Sequence, residues 1–502
     1  MNKLFLKYIL LIISLYCSSI ISKAQQDIEK TYSLQEIIQI AQEQSIDALV
    51  AKQSFKQSYW AFRAYKAKYL PSVDISTDLV NFSKSNTKQF NSLDTSYHFY
   101  ETITNSSNCG MVIKQNILQT GGYFALSGDL ARIRNENSPK KHWDYTSNPN
   151  ISYTQGNITY NTFKWDKKIE PKKYEIAKRK FIQSLEDISG RAIDLFFGLG
   201  AAQIALDVAK LNFSNADTLY KISQGRFEMG KISENDLLQM ELNYLTSKSN
   251  LNSNEINLTQ AQQKLRSFLG FNSKVAIKLF IPDSVPHIII KPSEILELAF
   301  KNNPEILTQE QKIIEAERDV AQKRSETYLN GSFQASYGLS KTDTLFPNII
   351  TDKRNVNENL SARISFQIPL VDWGLKRSQY KMAKLSQEIT ALQVKQAYID
   401  FEQDILIKVA QFNMLEEQYN IAKKANFVAE KRYEVTKQRF LIGKIDALDL
   451  NMAQKDKDSE SINNLNAIKN YWKSFYDIRK ITLFDFLKRQ PILDQIEGRN
   501  NL

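Results

Sequence analysis

Residues 226–237 read RFEMGKISENDL, and residues 439–450 read RFLIGKIDALDL. The two segments share Arg, Phe, Gly, Lys, Ile, Asp and Leu at identical spacing, 213 residues apart. In both places a long helical pattern ends and another begins. A repeat at this separation predicts one architecture that is built twice along the chain.

The chemistry of these segments predicts a tight turn between two helices. Gly230 falls where a helix favours a left-handed residue after its last turn. Ser233 falls where the next helix needs an N-cap, and Asp236 follows three residues later, as in a capping box. The second copy has matching residues at Gly443, Asp446 and Asp449. Each segment is therefore predicted to be the tip of a helical hairpin.

Composition favours long helices over an all-β or disordered chain. The 502 residues include only 16 Gly and 11 Pro, so turns and breaks are rare. The formal net charge is +11, and it falls to +8 if a leader containing Lys3, Lys7 and Lys23 is removed. Because these charges are interspersed with Asp and Glu, a solvated helix surface is favoured over a nucleic-acid-binding patch.

The N-terminus has the features of a secretory signal peptide over residues 1–24. A basic end is followed by the apolar run Tyr8–Ile21 and a small-x-small cleavage site, Ser22-Lys23-Ala24. No other run approaches 18 apolar residues, so no transmembrane helix is predicted. A lipoprotein site at Cys17 is the alternative. Cys109 would then be the only other cysteine, so no internal disulfide is predicted.

Helical and strand periodicities alternate in the same order twice. Strand candidates in the first half are 72–80, 108–118, 122–131 and 150–158, and the polar stretches 81–108 and 340–359 are predicted as loops. Whether the chain supplies four or six strands is left open. The predicted division is a first helix at 25–69, strands and loops at 70–165, a long helical hairpin at 166–270, a connector at 271–292, a second first-helix at 293–328, strands at 329–373, a second hairpin at 374–485, and a ragged tail at 486–502.

So few strands cannot close a sheet within one chain. An open sheet edge does not survive in lipid, whereas short strands of alternating polarity are typical of outer-membrane barrels. Several copies would then be needed to close the barrel. Trp165 and Trp373 are interpreted as equivalent residues of an aromatic girdle at the membrane interface. The alternative is that both pack in a core between helix and strand.

This order of elements resembles the TolC family of outer-membrane efflux proteins over nearly all of residues 30–485. The motifs that carry the resemblance are IPLVDWG at 368–374, the two Arg-Phe tips, and Leu70-Pro71 at a helix end. The resemblance implies a mainly α fold with membrane β: two tandem helical repeats that contribute to a trimeric α-barrel in the periplasm and a β-barrel in the outer membrane. It also implies a homotrimer in contact with outer-membrane lipid, a periplasmic adaptor, and an inner-membrane pump of the RND or ABC kind. The family usually has two strands per repeat, so the first half is predicted to carry an extra hairpin if all its candidates form.

The resemblance also indicates candidate functional residues. The periplasmic constriction of the family often uses two acidic residues three apart in the second tip. Asp449 matches the first, Met452 replaces the second, and Asp236 is the counterpart of Asp449 in the first tip. Both aspartates are also explained as helix caps alone. The candidate adaptor-docking residues are Arg226, Phe227, Gly230, Lys231, Ile232, Arg439, Phe440, Gly443, Lys444 and Ile445.

Catalytic chemistry is not indicated. His98, His142 and His287 are far apart in sequence, and metal ligands usually come in closely spaced sets. No P-loop, GxSxG or HExxH motif occurs. No enzyme, metal, cofactor or nucleic-acid partner is therefore predicted. The leading function is a passive transport duct, and the alternative is a periplasmic coiled-coil adaptor or a structural protein.

Overall fold

The computed structural model describes residues 30–92, 95–136, 142–271, 277–352, 354–368, 370–442, 444–445 and 447–497. The predicted signal peptide, Cys17, Gly443 and Asp446 lie outside these residues. The chain forms two compact units. The first unit contains Met1–Phe55, Lys178–Asn303 and Asp400–Leu502, and the second contains Lys56–Ala177 and Pro304–Ile399.

Two long helical hairpins confirm the predicted duplication. The first consists of α3 (Thr162–Glu228) and α4 (Glu234–Leu269), and the second of α8 (Leu375–Leu441) and α9 (Ala447–Thr482). The long members both have 67 residues and the short members both have 36. Every boundary is shifted by the same 213 residues that separate the two tip sequences. The mainly helical fold class is confirmed, since 63% of the chain is helical beside a β-rich part.

The first helix of each repeat is broken, where the sequence predicted one continuous helix. In the first repeat, α1 (Leu34–Gln44) ends at Ser45 and α2 (Ile46–Ala67) begins. The Ser45 hydroxyl accepts a hydrogen bond from the backbone N–H of Ala48 at 3.1 Å. This side chain caps a new helix, a role that Ser performs better than it continues an old one.

The second repeat has the same break 258 residues later. There α5 (Pro292–Asn302) ends at Asn303 and α6 (Pro304–Tyr328) begins. Pro304 disfavours a helical conformation at Asn303, and the Asn303 amide donates to the carbonyl of Ile481 at 3.0 Å. The two repeats therefore reach the same break with different residues.

The core of the first unit is formed by aromatic and aliphatic side chains on the long helices. Its largest fully buried side chains include Phe196, Phe197, Phe412, Tyr471 and Phe475. One of these helices, α3, contains an 18-residue window with a mean hydropathy of 1.5, which by length and composition could span a membrane. Because 44% of that window is buried inside the protein, we interpret it as a core helix.

Two segments predicted to be irregular are ordered. The connector contains β7 (Ile277–Phe280), which pairs in parallel with β1 (Lys30–Ser33). The tail contains β11 (Gln490–Pro491), which pairs with β10 (Phe484–Asp485), followed by α10 (Ile492–Glu497). Ile492 is 4% exposed and packs with Ile182 and Leu483. The apolar anchor Ile492 explains why the segment is not ragged up to residue 497.

The second unit contains an antiparallel sheet of six rows. Their order is β2, β3, β4, the interrupted pair β5 and β6, β8 and β9. The break between β5 and β6 falls at Asn148-Pro149, where Pro cannot donate to the ladder. The strands are β2 (Ser72–Asn91), β3 (Ser96–Asn116), β4 (Tyr123–Asn135), β5 (Asp144–Ser147), β6 (Asn150–Gln155), β8 (Asn330–Asp343) and β9 (Asn357–Gln367).

The polar stretch at 81–108, predicted as a loop, is instead the upper part of the β2–β3 hairpin. Lys84 pairs with Glu101 at 2.7 Å across the two strands, and the rings of Phe90 and Tyr97 lie 5.2 Å apart. Such cross-strand pairs stabilise a sheet without an apolar face. Period-two alternation of apolar residues therefore missed half of this hairpin. The short helix α7 (Phe346–Thr351) lies in the other predicted loop.

Candidate functional site

The six rows of the sheet carry alternating apolar and polar lines of side chains. Directly paired residues form one apolar line across all six rows: Val73, Ile113, Leu126, Ile151, Tyr337 and Leu360. The next line is polar apart from Val112 and Gly338: Asp74, Val112, Ser127, Asn150, Gly338 and Asn359. Adjacent lines point to opposite faces, so the sheet has one apolar and one mainly polar face.

The apolar face is exposed. Ile75 is 72% exposed, Leu360 79% and Ile364 61%, values that a water-soluble sheet would avoid by covering this face. A membrane barrel has this pattern, with apolar side chains toward lipid and polar ones toward the lumen. The geometry therefore fits a sheet that contacts lipid on one side and water on the other.

The sheet is open at both ends. Among the described residues, β2 pairs only with β3, and β9 pairs only with β8. All eleven residues of β9 are exposed. Unpaired backbone groups at an edge are costly in hydrocarbon, so each edge needs a partner strand.

A sharp turn after β9 exposes Trp373. The carboxylate of Asp372 accepts hydrogen bonds from the backbone N–H groups of Gly374 at 2.9 Å and Lys376 at 3.1 Å. Trp373 is held at φ +53° and Gly374 at φ +81°. Positive φ is uncommon outside Gly, and here it leaves the indole 96% exposed. This exposure supports the interfacial interpretation of Trp373 over a core role.

Trp165 is not the structural equivalent of Trp373, which corrects the sequence prediction. It lies inside the first turn of α3, half-buried, with the Lys168 ammonium 5.0 Å from its ring centroid. The constant shift of 213 residues places Tyr160 at the position that matches Trp373. The error arose because both tryptophans lie near a helix start, and sequence alone did not fix the helix boundary.

A second aromatic group lies toward the opposite end of the strands and was missed from the sequence. Trp143 stacks with two guanidinium groups, those of Arg132 at 4.7 Å and Arg134 at 5.4 Å. Tyr145 contacts Phe346 of α7, with ring centroids 5.6 Å apart. The Trp143-x-Tyr145 spacing on a strand was the available signal, since it places both rings near one sheet level.

The first tip forms the predicted helix end. Gly230 has φ +73°, its N–H donates to the carbonyl of Phe227 at 2.8 Å, and the N–H of Lys231 donates to the carbonyl of Arg226 at 2.8 Å. These two bonds define a Schellman motif. Ile232 is half-buried, so the tip exposes mainly polar and charged side chains together with Phe227 and Met229.

The second tip has the matching bond, from the N–H of Lys444 to the carbonyl of Arg439 at 3.0 Å. Phe440 packs beside a small core of Tyr433, Leu450 and Ala453, and Ile445 is half-buried. The glycine between these residues, Gly443, lies outside the described residues.

The three aperture candidates differ in their surroundings. Asp449 and Met452 are both exposed and lie three residues apart on α9, which places them on one helix face. Asp236 completes the predicted capping box, since its carboxylate accepts from the hydroxyl of Ser233 at 2.7 Å and its own N–H donates to that hydroxyl at 3.2 Å. These hydrogen bonds hold the pKa of Asp236 below its usual value. Asp236 is thus accounted for as a cap.

A polar cleft of about 560 Å³ lies within the first unit between α3, α4 and α9. Amide side chains dominate its wall. Asn212 donates to Asp458 at 2.8 Å and Asn243 donates to Asn451 at 3.4 Å. One oxygen of Asn212 and one of Asp458 are buried without a protein partner. The two hairpins therefore meet through polar contacts here, which makes this contact weaker than the aromatic core.

Two long helical hairpins together with an open sheet that has one lipid-type face define a subunit of an outer-membrane channel. Residues 295–482 match the family model described as outer membrane efflux protein, so this part of the chain is an outer membrane efflux protein domain. The resemblance to the TolC family is confirmed by this match. The predicted function as an outer-membrane efflux channel and the predicted location, with a periplasmic helical part, are confirmed with it.

Solved structures of low sequence identity share the fold. The CmeC outer membrane channel of Campylobacter jejuni is 16% identical, with a TM-score of 0.66 over 93% of this chain and 89% of CmeC. CusC is 13% identical, with a TM-score of 0.63 over 92% of this chain and 95% of CusC. The outer membrane protein VceC of Vibrio cholerae is 11% identical, with a TM-score of 0.60 over 90% and 95%. No curated protein sequence matches this chain.

Proposed function

We propose that three copies of this chain close a single β-barrel and act as a passive duct through which cargo leaves the cell. The observation that carries the proposal is the apolar line that runs unbroken across all six rows of the sheet, from Val73 to Leu360. Both ends of the sheet are unpaired edges, so one copy is incomplete in lipid. Joining β9 of one copy to β2 of the next satisfies both edges, and three copies give an even number of strands, as bacterial barrels require.

The helical part gives the duct its periplasmic section. We assign the two tips to docking of a periplasmic adaptor, which would connect the duct to an inner-membrane pump of the RND or ABC kind. Phe227 and Met229 are 39% and 62% exposed at the first tip. An exposed aromatic residue beside charged residues is typical of a contact surface.

The alternative, a periplasmic adaptor or structural protein, is disfavoured by the same sheet. A soluble protein does not leave side chains such as Leu360, Ile364 and Phe366 exposed along one face. Catalysis is not part of the proposal, since a duct needs only a lined passage.

The proposal is tested by purifying the chain from outer membranes in detergent and measuring its mass by light scattering and its conductance in planar lipid bilayers. We expect a trimer that dissociates on heating and conducts ions only before heating. A monomer that stays soluble after detergent removal, or a trimer with no conductance, would contradict the proposal.

A further inference from the structure

An open groove of about 280 Å³ lies toward the outer end of the sheet, between the strands and α7. Its wall is mainly apolar, with Cys109 and Leu130 from neighbouring strands, Tyr145 from β5, and Phe346 and Ile349 from α7. Cys109 and Leu130 are direct register partners. They continue the apolar face two residues above the line that holds Ile113 and Leu126.

The groove is continuous with the surface that we assign to lipid. Lys341, on the same face, donates to the backbone carbonyl of Asp352, just after α7, and this contact holds the helix over the sheet. Leu345 and Ile350, at the ends of α7, are 60% and 69% exposed. The helix therefore adds apolar side chains to the lipid-type face.

One cation at the groove has no carboxylate partner among the described residues. Arg132 lies two residues beyond Leu130 on β4, and its Nε is 3.4 Å from the hydroxyl of Ser107. Its guanidinium stacks on Trp143. By contrast, Arg134 is neutralised by Glu136 through two hydrogen bonds of 2.6 and 2.9 Å.

The other charged groups around the groove are paired. Lys341 and Arg354 both pair with Asp352, and His142 contacts Asp144 at 3.1 Å. Asp78 also lines the groove, but its carboxylate accepts from the amide of Asn108 at 2.9 Å, and it belongs to the polar face of the strand. Arg132 is thus the cation available to an anion at this end of the groove.

We propose that the groove binds one acyl chain of a phosphorylated lipid of the outer leaflet, with Arg132 holding the phosphate. The apolar part lies toward the membrane interior and the guanidinium toward the outer end, which is the order of chain and headgroup in a lipid. Arg suits a phosphate because its planar fork donates two hydrogen bonds at once. This inference rests on the proposed membrane location of the sheet.

The test is native mass spectrometry of the delipidated trimer with added bisphosphorylated lipid A. We expect one lipid per chain, and at least tenfold weaker binding after removal of the lipid's phosphates. Arg132→Gln should weaken binding to the same extent, whereas Arg354→Gln, a cation of the same rim that is already paired, should retain it. Cys109→Phe should block the groove, and Cys109→Ser should not.

Two outcomes overturn the proposal: equal binding of the lipid with and without its phosphates, or full binding by Cys109→Phe. Because Arg132 is exposed, its substitution is not expected to affect folding. Conductance of the same preparations in lipid bilayers is measured in parallel. A conducting trimer that binds no lipid A contradicts this inference and leaves the duct intact, whereas a non-conducting preparation contradicts the proposed function.

Discussion

At the scale of single residues, the first hairpin tip depends on one glycine. A Cβ added at Gly230 would meet no atom within 4 Å, so a substitution there costs backbone strain and no steric clash. A side chain at positive φ costs about 1–3 kcal/mol, most for β-branched residues. We expect Gly230→Val to loosen the tip and impair docking or assembly, and Gly443→Val to do the same at the second tip.

The measurement is amide hydrogen exchange of the tip together with trimer yield. Gly230→Asn is the matched control, because Asn tolerates the left-handed conformation better than Val does. Normal exchange and normal export by both valine variants would refute the tip assignment.

A second prediction at this scale separates a pore residue from a cap. We propose that Asp449 lines the periplasmic mouth, where three copies of a carboxylate around one axis would attract cations. Met452, on the same helix face, would supply an apolar constriction in place of a second acid. Asp449→Ala should raise single-channel conductance and reduce block by divalent cations, with trimer stability little changed.

Asp236→Ala is the control, because Asp236 is the matching residue of the first tip and is engaged by Ser233. It should make the tip less stable by about 1 kcal/mol and leave conductance unchanged. If Asp449→Ala behaves in the same way as Asp236→Ala, both residues are only caps.

At the scale of elements, the structure contains a buried ionic cluster that the sequence did not reveal. Arg479 of α9 makes two hydrogen bonds to Glu186 of α3, of 3.0 and 3.1 Å, and one to Asp485 of β10, of 2.9 Å. The side chains of Glu186 and Asp485 are only 1% and 3% exposed. Burial raises the pKa of Glu186, and the charge of Arg479 opposes that rise. The cluster joins both hairpins to the C-terminal segment.

Arg479→Met should leave two buried carboxylates without a cation. Breaking a buried pair from one side costs about 3–5 kcal/mol, so we expect a clear fall in the melting temperature of the helical circular dichroism signal. Arg432→Met is the control, since the Arg432–Asp456 pair is about half exposed and such pairs contribute about 0–1 kcal/mol. Equal melting temperatures for the two variants would show that the cluster contributes no more than a surface pair.

How far elements could be predicted depended on how locally they are encoded. Gly230 and Ser233 end and start helices through contacts within a few residues, so both hairpin tips could be placed from sequence. The upper β2–β3 hairpin could not, because its strands are held by cross-strand pairs such as Lys84 with Glu101. The Arg479 cluster joins residues almost 300 positions apart, and charged residues on helices are usually solvated. The interfacial position of Trp373 was predicted, while Trp165 was misplaced by an uncertain helix start.

At the scale of the whole molecule, the strand number sets the width of the proposed pore. Six rows in each of three copies would give 18 strands, whereas four rows would give 12. Barrels of about 16–18 strands leave an aqueous channel. The register favours six, because the apolar line from Val73 to Leu360 includes the extra hairpin of the first half without interruption.

This architecture predicts that β2 of one copy lies beside β9 of the next, which disulfides can detect. In a Cys109→Ser background, Ile75→Cys is combined with Ala362→Cys or Ile364→Cys, and we expect at least one pair to give a covalent trimer on oxidation. β2 and β9 form opposite ends of the sheet, so each disulfide must join two copies. The control is Ile75→Cys with Met111→Cys, which are direct partners within one chain and should give a crosslinked monomer. If no pair along the two edges yields a trimer, and cysteines on β4 crosslink to β9 instead, then β2 and β3 lie outside the ring and the barrel has 12 strands.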